Sequence, residues 1–113
     1  MKNEKGGVSA DVFFSGKTCI GHMMKAGDQW ICKDCQGKYI LPSKPYPLPL
    51  YRSFAVVPII DDSPSTQQAT KCLGVIWLDS LNERIFDSEE ASILLTLLAS
   101  RIEAILCIIN KLP

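Results

Sequence analysis

The chain has no surplus of either charge: 12 Lys and Arg offset 12 Asp and Glu, for a formal net charge of zero at pH 7. Neutralisation of phosphates by basic side chains supplies most nucleic-acid affinity, so nucleic acid is not an expected partner. No unbroken apolar run is long enough to span a bilayer, and the opening MKNEKGGVSAD is charged with no apolar stretch behind it. Neither a membrane partner nor a secretory signal is expected on that reading. The cysteines number five, an odd count that does not close into a disulfide framework. Without an export signal they read as buried thiols, metal ligands or reactive groups of a cytoplasmic protein. There is no internal repeat, nucleophile triad, phosphate-cradling glycine loop or paired acid–base arrangement, so the chain is not expected to be an enzyme and no catalytic residue is assigned.

What is present fits one domain. A chain of 113 residues, 47% apolar and 21% charged, has the composition of an ordinary soluble protein with a real core. Residues 1–7 read as a flexible terminus and 8–113 as a single domain. Val8, Ala10, Val12 and Phe14 alternate with their neighbours, and that period of two predicts a half-buried strand over 8–14. Thr18 is placed to cap a short helix over 19–26, ended by Gly27. Residues 29–32 predict a short strand. Pro42, Pro45, Pro47 and Pro49 then exclude a central strand or helix interior, so residues 33–51 read as a covering flap. Residues 53–60 are apolar nearly throughout, as in a central strand covered on both faces. After a polar loop, 72–79 predicts a second strong strand. Leu73, Val75 and Trp77 point one way on it; Cys72, Gly74, Ile76 and Leu78 point the other.

The C-terminal third predicts a long helix, with Asp87 as N-cap and Glu90 completing a capping box. Ala91, Leu95, Leu98, Ile102, Ile105, Ile109 and Leu112 follow alternating steps of four and three and form one apolar seam. Leu94, Leu97, Ala104 and Ile108 form a second, interrupted by Arg101. One stripe is expected to dock on the sheet. The other then needs a partner, because a helix apolar on two sides is buried on two sides. A homodimer, or an adjacent helix of a longer protein, is expected there.

Three stretches taken together resemble the GAF family: YRSFAVVPI at 51–59, LGVIWLDS at 73–80, and FDSEE at 86–90 leading into the leucine-rich helix. Residues 21–34, GHMMKAGDQWICKD, resemble a further segment of that family. The resemblance covers roughly residues 8–112 and is best from Ser53 onward. It implies an α+β domain (α/β in the broad sense), a GAF-like antiparallel sheet with a long C-terminal helix packed on one face and loops over the other. It also implies a sensory or regulatory role in signal transduction, with a small ligand held beneath the flap. Trp30, Asp34, Tyr39, Tyr46 and Tyr51 are the candidates to line that pocket, whereas Trp77 reads as core filling. The usual N-terminal helix of the family is missing or shortened, which agrees with the unpartnered stripe. The signature of its cyclic-nucleotide-binding members and its bilin attachment pattern are absent, so no cofactor is expected.

One constellation carries a different chemistry. Cys19-x-x-His22 and Cys32-x-x-Cys35 are written as a tetrahedral Zn²⁺ site is, two short pairs of soft ligands separated by a turn. The alternative to a regulatory domain is therefore a zinc-stabilised interaction module, against the plainer reading of buried thiols and a surface imidazole. Residues 16–21, GKTCIG, resemble a stretch of the family's methionine sulfoxide reductases with the cysteine displaced by one. The further cysteine of those enzymes has no counterpart among residues 43–51.

Overall fold

The structure, a computed structural model, describes residues 7–26, 29–32, 40–41, 51–61 and 71–112. The flap expected over 33–51 and the loop before residue 71 lie mostly outside these. The elements in chain order are α1 (Gly7–Ser15), β1 (Cys19–Ala26), β2 (Gln29–Cys32), β3 (Ile40–Leu41), β4 (Ser53–Asp61), β5 (Lys71–Ser80) and α2 (Glu89–Asn110). The strands form an open sheet in the order β3-β2-β1-β4-β5, antiparallel at every pairing. The fold is thus mixed α+β, with the C-terminal helix on one face of the sheet.

β4 is the middle of the molecule. Residues from Ser53 to Ile59 are all buried, which a strand can be only when both its faces are covered. Phe54 and Val56 face a core built with Val8 and Val12 of α1, Met23 and Cys32; Cys19, Tyr51 and Val75 pack against it. Ala55 and Val57 face the opposite core with Leu95 and Ala99 of α2, flanked by Ile20, Ile76, Leu78 and Phe86. The alternation expected for β5 holds, with Val75 in the first core and Ile76 and Leu78 in the second.

Two expected elements exchange character. Residues 8–14 are helical, because positions 8 and 12 lie on one side of a strand and also one above the other on a helix. The helix buries only Val8 and Val12, and Phe14 is 83% exposed. It ends as helices often do: Gly16 takes φ +71° and its amide donates to the Val12 carbonyl at 2.8 Å. Residues 19–26 are a strand rather than a helix. Their inward set, Cys19 and Met23, alternates with Ile20, and Thr18 caps nothing. Gly21 makes that strand possible beside β4. A Cβ there would lie 2.1 to 2.7 Å from carbons of the Phe54 ring, its cross-strand partner.

α2 begins one residue later than the spacing suggested. Ser88 is the N-cap, its Oγ accepting from the Ala91 amide at 3.1 Å. Asp87 is drawn away from the cap by other partners: Nε2 of His22 lies 2.6 Å from its Oδ1, and Arg84 Nη1 donates to its Oδ2 at 3.4 Å. The connection into the helix is pinned by Ser53, whose Oγ donates to the Asn82 carbonyl at 2.7 Å. The docked line also differs from the expected seam. Leu95 and Ala99 are buried and Ala91, Ile102 and Leu106 half-buried, whereas Leu98, Ile105, Ile109 and Leu112 of the expected seam are exposed. At about 100° per residue Leu98, Ile105 and Leu112 lie on the outer side of the seam, and a drift of about 20° per heptad carries Ile109 outward as well.

Candidate functional site

α2 divides its surface in an unusual way. The second stripe, Leu94, Leu97, Arg101, Ala104 and Ile108, is exposed along its whole length, with Leu94 at 64% and Ile108 at 63%. Ile93, Ile105 and Leu112, all more than half exposed, widen it. By length and composition this helix could cross a membrane: its most apolar window has a mean hydropathy of 2.1, and 11% of that window is buried. No uninterrupted apolar run signals this, because Ser, Thr, Arg and Glu punctuate the apolar residues. The polar residues share the surface with the apolar stripe: Ser92, Thr96 and Ser100 are exposed, and Glu103 and Cys107 half-buried. Ser92, Thr96, Ser100, Glu103 and Cys107 recur at steps of four, four, three and four, which places them on one stripe of their own.

That third stripe borders a cavity of about 240 Å³ between α2 and β4. Val57, Pro58 and Ile60 of β4 and Ala99 of α2 give it apolar walls. Thr18, Thr96 and Ser100 contribute hydroxyl-bearing side chains, and Glu103 a carboxylate. Ligand atoms of Asp61, Glu103 and Cys107 lie within 4.8 Å of one another, and of the three only Glu103 lines the cavity. The Cys107 thiol donates to Glu103 Oε2 at 3.1 Å. That hydrogen bond, then partial burial and the charges of Glu103 and Asp61, hold the thiol above its ordinary value, with Lys111 opposing. The sequence signal for this site is the regular spacing of the polar residues in α2.

The candidates beneath the flap fall into two groups. Asp34, Tyr39 and Tyr46 lie outside the described residues. Trp30 sits within β2, its backbone opposite Lys25 of β1 and Leu41 of β3. Tyr51 packs edge-on against Phe54, centroids 6.1 Å apart, and against Trp77 at 5.8 Å, while Phe54 and Trp77 stack at 4.9 Å. Trp77 Nε1 donates to Asp79 Oδ2 at 2.8 Å. Burial, then Asp79 and Cys32, raise the Tyr51 phenol above its ordinary value. These rings pack against one another, but Trp77, expected as core filling, is 38% exposed at the edge of the group.

The Cys/His set is divided by the strand that replaced the expected helix. Cys32 is fully buried and Cys19 packs into the same core. His22, three positions from Cys19 on β1, lies on the other face and reaches Asp87. A helical turn would have brought Cys19 and His22 together, whereas an extended strand sends them to opposite sides. Cys35 lies outside the described residues. No family model, no curated protein and no solved structure matches this chain.

Proposed function

We propose that this chain is a non-catalytic, GAF-like regulatory module of a cytoplasmic signal-transduction protein, and that it assembles as a homodimer through the outer face of α2. The observation that carries the reading is the exposure of Leu94, Leu97, Ile105, Ile108 and Leu112, each more than half accessible on a single helix. Contiguous apolar surface of this kind marks an interaction site. Full burial of such a side chain contributes roughly 1.5–3 kcal/mol, so half of that over five residues on each of two chains is about 8–15 kcal/mol. Association costs roughly 4–15 kcal/mol, which leaves a pairing that responds to concentration rather than a permanent one. Leu94, Leu97, Arg101, Ala104 and Ile108 have the alternating spacing of a helix–helix seam, and a lone charged residue within such a seam selects register at some cost in stability.

Light scattering over a concentration series tests the reading. A reversible monomer–dimer transition is expected, abolished by Leu97→Glu with Ile108→Glu at unchanged circular dichroism. A strict monomer at all concentrations would sink it. Sedimentation of the monomer with phosphatidylglycerol vesicles, lost in the same double variant, would reassign the face to lipid.

A further inference from the structure

The outer face of α2 carries charge as well as apolar residues, and the charge is sorted by sign along the helix. Glu89 and Glu90 lie in the first turn, Arg101 near the middle, and Lys111 follows the last turn as the C-cap; all four are exposed. Glu90, Leu94, Leu97, Arg101, Ala104, Ile108 and Lys111 recur at alternating steps of four and three, so these charges belong to the same seam as the exposed leucines. Ala104 is the one small side chain in that row. We infer that a second copy of α2 packs antiparallel to the first, with Leu94 opposite the partner's Ala104, Leu97 opposite the partner's Arg101, and Glu90 opposite the partner's Ile108. The arrangement rests on the self-association proposed above and adds its orientation and register.

Parallel and antiparallel pairs of identical helices are both two-fold symmetric, so symmetry does not choose between them. Charge and volume do. In a parallel pair in register every residue meets its own copy. Arg101 then faces a second guanidinium inside an apolar seam, where repulsion is stronger than in water. Glu90 faces a glutamate, and Ala104 faces an alanine, which leaves a gap between larger neighbours and forfeits their contacts. The antiparallel pair removes all three faults. Ala104 receives a leucine, so large and small side chains interdigitate. The stem of Arg101 lies along a leucine while its guanidinium reaches water. Lys111, one turn beyond Ile108, comes beside the partner's Glu90, and the same ion pair forms at both ends of the interface. The register is centred at the level of Ala99, close to the middle of Glu89–Asn110, so the two helices overlap along nearly their whole length.

An isotope-filtered NOE experiment on the full chain tests this, with ¹³C-labelled and unlabelled copies mixed at a concentration where light scattering finds the dimer. Intermolecular contacts are expected between the methyls of Leu94 and Ala104, and between Leu97 and the Arg101 side chain. Contacts of Leu94 and Leu97 with their own copies would overturn the antiparallel packing and leave self-association standing. A strict monomer would overturn both. Charge reversal gives a second readout. Lys111→Glu should weaken the dimer roughly three- to tenfold at low salt, and adding Glu90→Lys should restore the affinity. Each change opposes the helix dipole, so recovery in the double variant cannot come from a more stable helix. In a parallel pair both changes only exchange one like-charge contact for another. Unchanged affinity in Lys111→Glu, or no recovery in the double variant, would therefore also overturn the antiparallel packing.

Discussion

At the scale of single residues, two positions concentrate the physics. Gly21 is fixed by its neighbour rather than by its own backbone, since any Cβ collides with the Phe54 ring. That ring is buried and stacked on Trp77, so it cannot yield without disturbing the aromatic group. Gly21→Ala is expected to destabilise the fold by about 1–3 kcal/mol, the usual cost of overpacking, as read by urea denaturation with Trp fluorescence. Cys107 is held protonated by its bond to Glu103. Because its folded value is raised, this interaction stabilises the fold fully below the unfolded value, ordinarily 9.0, and the contribution is lost as pH rises through the folded one. Alkylation by iodoacetamide near pH 9, followed by peptide mapping, should find Cys107 modified severalfold more slowly than in the unfolded chain. Glu103→Gln should remove most of that protection.

At the scale of elements, the lesson lies in what one spacing can mean. The pair Val8 and Val12 satisfies both a strand and a helix, and only the fold decides. The strand at 19–26 was hidden by a cap-like Thr18 and by Gly27, which together imitate the two ends of a helix. β4, β5 and α2 were legible because their apolar residues are too many to be read otherwise: seven consecutive buried positions in β4 leave no second interpretation. The N-cap was misplaced by one residue because Asp87 and Ser88 are both good caps. Sequence cannot show that His22, 65 positions away, takes Asp87 for itself. The assignment has a measurable consequence: Ser88→Ala should cost α2 about 1 kcal/mol of stability in thermal unfolding, as loss of an N-cap does. The candidate site was the least legible feature, since Asp61 and Glu103 come together only when β4 and α2 pack.

At the scale of the molecule, β1 divides its length between two partners. Its first half, Cys19 to His22, pairs with β4, and its second, Met23 to Ala26, pairs with β2. β4 and β5 share a long ladder backed by a helix on each face, while β2 and β3 are joined through two residue pairs. Local opening follows buried contact, so hydrogen exchange should be at least about tenfold slower at Ala55, Val57 and Ile76 than at Met24 and Ile31.

β5 is the last strand of the sheet, and among the described residues only β4 pairs with it. It is ten residues long, and its other margin is a row of amides and carbonyls spaced to receive one more strand. Lys71 near one end and Asp79 near the other place charge there, as gatekeepers against templated growth do. A chain that loses those two charges is expected to add strand to strand at this margin and grow into ordered filaments, read by thioflavin T fluorescence.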